Sequence, residues 1–277
     1  MSAAYLNGEY KPLDECQVSV LDRGFIFGDA VYELIPFYIK KAFRLEAHLA
    51  RLKRSLAEIR INNPQTDEQW QAIIERLISQ HDEANGYVYI QVSRGVARRD
   101  HAFPKDTAAT VFAMLGAWPA LIDGALDKGL SVVTVDDIRW NRCDVKSTSL
   151  LANVLMKQKA LESDAHEAIM IREGKVLEGS ATNTFVVHQG TVFTAAKDNL
   201  ILPGITRDVV VELINTLALP FVEQAASLQQ LQEADEVWLT SSTKECLAIT
   251  EVDGQPVANG QPGPLWHQVY AAFQLQK

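Results

Sequence analysis

The sequence predicts an α+β protein of two domains, built from mixed and largely antiparallel sheets with packed helices. Three observations predict it. The dipeptides Asn7–Gly8, Glu173–Gly174, Gln189–Gly190 and Asp253–Gly254 join short strand-like runs in both halves, and such hairpins build antiparallel sheets. Apolar residues at steps of three and four mark helices between those runs. A Pro- and Gly-containing break, AWPALIDG at 117–124, falls near the middle of 277 residues, a length that suits two ordinary domains. The expected division is 1–116, a linker over 117–124, and 125–277. No fixed-period repeat or low-complexity tract is visible, and a doubly wound parallel fold is not expected.

The elements follow in order. AYL-NG-EY reads as a hairpin, and YELIPFYI after DRGFIFGDAV as an apolar strand. A short strand follows Lys40–Lys41. Leu45, Leu49, Leu52, Leu56 and Ile59 make one face of a helix. Thr66 and Gln69 form a candidate capping box for the next, whose face is Trp70, Ile73, Ile74, Leu77 and Ile78. YVYIQVSR and TVFAMLGA read as strands. The second half opens with the strand LSVVTV and a helix after SLLANVLMKQKALES, then short hairpin strands. Val209, Val210, Leu213, Ile214 and Leu217 mark a helix that begins near PGITR. EVWLT is a strand, and the terminal helix carries Leu265, Val269 and Phe273.

Composition narrows the function. Apolar residues are 47% and charged residues 22%, as in soluble globular proteins, and the net charge of -9 argues against a nucleic-acid partner. No apolar run approaches a membrane span, and MSAAYLNGEY lacks the basic and apolar regions of a signal peptide. Cys16, Cys143 and Cys246 are scattered, so neither a disulfide framework nor a metal site is expected, and the expected setting is the cytoplasm. There is no G-x-G-x-x-G, Walker loop, G-x-S-x-G or H-E-x-x-H motif.

Several residues are candidates for chemistry. Lys146, in IRWNRCDVKSTSLLANVL, is placed after an apolar strand and just before a helix. Taken alone it reads as a solvated lysine; a desolvated one is a nucleophilic amine. Glu178, in VLEGSATNTFVV, is a surface carboxylate or a partner for a pyridine nitrogen. PGITR opens a helix whose backbone N–H groups, with the Thr206 hydroxyl, suit a phosphate. Ser241, Ser242 and Thr243 are further hydroxyl donors or an ordinary turn. Arg51 lies beside the apolar stripe of its helix, and a buried anion would draw it inward. SRGVARRDHAF gathers Arg94, Arg98, Arg99 and His101 on one loop, either solvated or a trap for carboxylates.

Together these stretches resemble the fold-type-IV pyridoxal-phosphate aminotransferases, most closely the bacterial D-amino-acid branch. The matching segments are DRGFIFGDAVYE, HLARL, RGVARRDHAFP, DIRWNRCDVKSTSLLANVLMKQKA, EGSATNTFVV, ILPGITRDVV and LTSSTKE, in order through nearly the whole chain. The resemblance implies pyridoxal 5'-phosphate as cofactor, with Lys146 as the Schiff-base and proton-transfer residue. Glu178 would pair with the ring nitrogen and Arg139 would lie near the ring hydroxyl. Leu202 would pack on the ring, and Arg51, Ile205, Thr206 and Ser242 would hold the phosphate. Tyr32, Arg99 and His101 would form the carboxylate trap. The implied protein is a homodimer, the last two residues serving the partner's site, with the active site at domain and dimer interfaces. The implied reaction is ping-pong transamination of D-amino acids with 2-oxo acids, of the D-alanine plus 2-oxoglutarate type. Two departures stand out: Ser242 replaces an expected threonine, and Arg98-Arg99-Asp100 is more charged than the pattern. A branched-chain L-aminotransferase, an aminodeoxychorismate lyase or an inactive binding domain are the alternatives.

Overall fold

The Asn7–Gly8 turn opens the chain as expected, with both residues at positive φ (49° and 100°). It joins β1 (Ala3–Leu6) to β2 (Glu9–Pro12). The structure, a computed structural model, describes residues 3–118 and 124–277. The short helix α1 (Arg23–Phe27) precedes β3 (Ala30–Tyr38) and β4 (Lys41–Ala42). The helices α2 (Leu45–Glu58) and α3 (Asp67–Ser79) follow, then β5 (Gly86–Ser93) and β6 (Thr110–Ala117). The six strands form an antiparallel sheet in the order β2-β1-β6-β5-β3-β4.

One face of this sheet is the first core. Val31, Ile35, Val88, Ile90, Val111 and Ala113 point to it at alternate positions, and Leu52, Leu56, Trp70, Ile74 and Leu77 of α2 and α3 cover it. The capping box of α3 is present: Thr66 Oγ1 accepts from the Gln69 amide and Gln69 Oε1 from the Thr66 amide. The other face is half-buried and carries Tyr32 and Gln91 side by side, with Tyr89 stacked on Tyr32 at 5.7 Å.

The second sheet is built from β7 (Leu130–Asp136), β8 (Glu167–Arg172), β9 (Lys175–Gly179), β10 (Asn183–His188), β11 (Thr191–Thr194), β12 (Phe221–Val222), β13 (Glu236–Ser241), β14 (Glu245–Val252) and β15 (Gln255–Pro256). Its order is β12-β11-β10-β13-β14-β7-β8-β9, with β15 on β14. The sheet is mixed, since β7 runs parallel to both β8 and β14. A pairing of Asn183 with Glu178 brings β9 back to β10 and closes the run on itself. The helices α4 (Leu151–Glu162), α5 (Ile205–Thr216), α6 (Leu228–Gln232) and α7 (Pro264–Gln274) complete this unit. Glu236 serves α7 directly. Its carboxylate accepts from the amides of Leu265 and Trp266, two donors that the helix itself leaves over.

The expected cut between domains needs correction. The two units are Met1–Pro119 with Val145–Leu150, and Ala120–Asp144 with Leu151–Lys277. A hexapeptide of the second half thus belongs with the first. The reason lies in β3, whose Ala30–Leu34 end has β5 on one side only, because β4 pairs no further than Phe37. The hexapeptide takes the open side: Val31 bridges Ser147, Tyr32 N–H donates to Lys146 O (2.9 Å) and Thr148 N–H to Ala30 O (3.0 Å). Of the expected linker, residues 119–123 lie outside the described residues, and Ala117 is the last residue of β6.

Among the described residues, no helix is long and apolar enough to cross a membrane, and no cluster of three or more His, Cys, Asp or Glu could hold a metal. The three cysteines are free thiols.

Candidate active site

Two groups of polar side chains stand out, one in each unit. In the first, Lys146 is half-buried and its Nζ lies 4.1 Å from the centre of the Tyr32 ring. Its backbone is held on both sides: its N–H donates to Ser55 Oγ (3.3 Å) and its carbonyl accepts from Tyr32. Lys146 therefore does not follow a strand directly, as its apolar neighbourhood suggested. Residues 137–145, without helix or strand, separate it from β7, and the clamp on β3 aims it instead.

Below it lies a buried cluster that the sequence reading did not find. Glu33 is fully buried and takes the Arg51 guanidinium at 2.6 and 3.0 Å and His48 Nδ1 at 3.0 Å. Burial opposes its charge, but Arg51 and His48 hold the carboxyl far below the usual range. Burial also depresses His48, whose surroundings include Glu33, Arg51 and Lys146. Arg51 is thus drawn inward by an anion, as its helix position allowed, and the anion in this structure is Glu33. The signal was a lone carboxylate in the apolar strand YELIPFYI, at a core-facing position. Glu33→Gln withdraws that charge from a buried guanidinium. The cofactor-free protein is expected to lose about 3 kcal/mol, read as a lower urea midpoint with an unchanged slope.

The basic loop divides into parts. Arg94 is buried and committed: its guanidinium donates to Asp29 and to the carbonyls of Ile59 and Arg60. Arg98, Arg99 and His101 are exposed. The Arg99 guanidinium and the His101 ring both lie against Phe27, at 5.3 and 5.6 Å.

The second group centres on Glu178, which is buried at the closure of β9 on β10. Its carboxylate accepts from Arg139 Nη1, from Asn183 Nδ2 (3.0 Å) and from the Leu202 amide (3.1 Å). Burial pushes its pKa up to about 7, against the pull of Arg139. Arg139 also grips Asp137 and the Leu200 carbonyl, so in this structure it is a partner of the glutamate. Asn183, in the EGSATN motif but not singled out in the sequence, donates also to Leu202 O (2.8 Å). It ties the glutamate to the loop that leads into α5.

That helix starts at Gly204 with no side-chain cap, and Thr206 is buried in its first turn. A Cβ at Gly204 would stand 2.1 Å from Asn183 Oδ1, so only glycine permits this approach. Ile205 is buried and Leu202 half-buried. On β13, the buried Thr240 hydroxyl has no partner; the half-buried Ser241 ends the strand and the half-buried Ser242 opens the turn after it. Around α5 the unit thus offers an anion backbone N–H groups and hydroxyls, and a cation the buried Glu178 carboxylate.

Comparison with known proteins agrees with this chemistry. The model of the family "Amino-transferase class IV" matches residues 30–252. D-alanine aminotransferase of Bacillus licheniformis is 40% identical over 269 residues, covering 97% of this chain and 94% of that protein. That of Staphylococcus haemolyticus is 36% identical over 274 residues, covering 99% and 97%. Among solved structures, Escherichia coli branched-chain amino acid aminotransferase has a TM-score of 0.92 at 26% identity, covering 98% of this chain and 93% of that one. The branched-chain amino acid aminotransferase of Thermoproteus uzoniensis with norvaline has a TM-score of 0.88 at 25% identity, covering 99% and 94%. A further branched-chain amino acid aminotransferase, solved with pyridoxamine 5'-phosphate, has a TM-score of 0.92 at 26% identity, covering 98% and 92%.

Proposed function

This chain belongs to the class IV aminotransferases, and from that premise we propose that it transaminates D-amino acids using pyridoxal 5'-phosphate, with Lys146 as the covalent attachment point and proton carrier. The observation that carries the cofactor assignment is the buried Glu178 carboxylate in one unit with an uncapped helix start at Gly204. A pyridinium N–H and a phosphate are the two ligand groups those features suit. The D-alanine aminotransferase relatives support the substrate class.

Bound pyridoxal phosphate supplies a carbonyl carbon for the amino group and a ring that withdraws the electron pair left when Cα loses its proton. The residues do the rest. With that group bound, Lys146 Nζ would take the Cα proton and hold it for return, the proton transfer that each half of a ping-pong cycle needs. Glu178 would keep a proton on the ring nitrogen, and Arg139 and Asn183 hold Glu178 in place. The resemblance implies that Arg51, Ile205, Thr206 and Ser242 would hold the phosphate and that Leu202 would pack on the ring. Ser242 carries a hydroxyl, as the expected threonine would, so the implied contact would be retained. Tyr32, Arg99 and His101 would grip the substrate carboxylate. The Cα–H bond must face Lys146, so the side on which the carboxylate is held decides the enantiomer.

We place the enzyme as a homodimer in the cytoplasm. Exposed apolar side chains support the first: Val20 and Phe25 in one unit, and Leu151, Val154 and Leu155 along α4 in the other, each more than half exposed. Light scattering is expected to give twice the 30.7 kDa chain mass. The three reduced thiols suit the cytoplasm.

A panel of D- and L-amino acids with 2-oxoglutarate tests the proposal. Turnover is expected on D-alanine and related D-amino acids. A preference for branched L-amino acids would replace this reading with that of the structural neighbours, whose fold is shared and does not discriminate. Arg99→Ala is expected to raise KM for D-alanine about tenfold or more at unchanged cofactor content; unaltered kinetics would remove Arg99 from the trap.

A further inference from the structure

We propose that Arg23, which touches no reacting group in the proposed mechanism, is a positioning residue for substrate specificity: its buried guanidinium, with Phe27, sets the place of the loop that carries Arg99 and His101.

Arg23 is 4% exposed, at the first position of α1. Its Nε donates to Asp29 Oδ2 at 2.8 Å. The other two nitrogens face the loop: Nη1 donates to Asp100 O (2.5 Å) and Ala102 O (3.4 Å), and Nη2 to His101 O (3.5 Å). One guanidinium therefore reads the backbone of three successive residues around His101, all of them exposed. Their positions are not set by burial of their own side chains.

Asp29 explains why this arrangement is rigid. Its two oxygens also take Arg94 Nε (2.8 Å) and Nη2 (2.9 Å). Burial opposes charge on Asp29, but its bonds to Arg94 and Arg23 outweigh this and hold the carboxyl below its ordinary range. The same Arg94 lies 3.7 Å from the centre of the Phe103 ring, at the far end of the loop. The near end is held by β-like pairing: Asp22 bridges Val96, Arg23 N–H donates to Gly95 O and Ala97 N–H to Leu21 O. The loop is pinned at both ends, and Arg23 fixes the middle.

Phe27, half-buried one helical turn after Arg23, supplies the surface. The Arg23 guanidinium lies 4.9 Å from its ring centre, that of Arg99 at 5.3 Å, and the His101 ring at 5.6 Å. Phe27 is thus shared by the residue that orients the loop and the two side chains the loop presents. An arginine is required at 23 because the planar fork serves Asp29 and the loop carbonyls together; a lysine ammonium has neither the width nor the planarity.

The inference rests on the reading of Arg99 and His101 as the carboxylate trap, and the test separates the two. Arg23→Gln, Arg23→Lys, Phe27→Leu and Arg99→Ala holoenzymes are compared on D-alanine and on D-alaninol, an amine with no carboxylate. For both Arg23 variants, kcat/KM on D-alanine is expected to fall about 10- to 100-fold, through KM. Cofactor content and the rate on D-alaninol are expected to stay within twofold of wild type. Phe27→Leu, which leaves the buried ion pairs intact, is expected to show the same split more weakly, and it decides the matter if the Arg23 variants do not fold. Wild-type KM for D-alanine in the folded variants, or equal losses on both amines, overturns the inference. If Arg99→Ala also leaves D-alanine kinetics unchanged, the trap itself falls; if Arg99→Ala alone raises KM, only the role of Arg23 and Phe27 falls.

Discussion

Lys146→Ala is expected to abolish transamination, by about 10⁴-fold or more, while leaving the fold intact. The two halves of this expectation have separate causes. The fold survives because the hexapeptide is held by its backbone: Lys146 N–H to Ser55, Lys146 O to Tyr32 and Thr148 N–H to Ala30. Alanine keeps all three. The side chain, by contrast, meets an aromatic face at Tyr32 and adds, with Arg51, to the positive surroundings of His48. Removing it takes away the only group proposed to move the Cα proton. Thermal denaturation is expected to show a transition within a few degrees of wild type. Added methylamine is expected to restore part of the activity, since the missing function is that of a primary amine. A folded Lys146→Ala enzyme with ordinary turnover would end the mechanism.

The second large effect belongs to Glu178. Glu178→Gln is expected to lower kcat by about 10²–10³-fold, the size usual for a pre-placed charge that meets charge developing in the reaction. Asn183 and the Leu202 amide still have an acceptor in glutamine, so the change acts on charge more than on shape. A pH effect should accompany it. The carboxyl stands at about 7 in the fold against an ordinary 4.5, chiefly through burial. An acid raised in this way binds more protons folded than unfolded, so the cofactor-free protein should lose stability as pH rises from about 4.5 to about 7. Each unit of raised pKa is worth about 1.4 kcal/mol. Urea midpoints at pH 5 and pH 8 are expected to differ in that direction, and Glu178→Gln to reduce the difference. An unchanged difference would assign the pH dependence to other groups; unchanged kcat would remove Glu178 from the ring nitrogen.

Much of the fold was legible because local patterns agree with it. The leucine stripe of α2, the Thr66–Gln69 box and the four turn dipeptides each carry their own geometry, and all appear where the sequence places them. The site was less so. Nothing local announces that residues 145–150 leave the second half to pair with β3, since an open strand edge is a property of the assembled sheet. Arg94 and Arg99 read alike in one basic loop, yet one is buried on Asp29 and the other exposed beside Phe27, a difference made by an acid 65 residues away in sequence. Glu33 and Asn183 lay inside stretches read for their apolar pattern or for their neighbours. They emerge only when the structure shows what each one binds.

The central claim is that one amine, at position 146, carries the cofactor. Reducing the holoenzyme with borohydride fixes the cofactor to whichever lysine holds it, and peptide mapping then reads the position. The expected result is a single phosphopyridoxyl tag on the peptide that contains Lys146. A tag on another lysine, or a holoenzyme that yields none, would contradict the account.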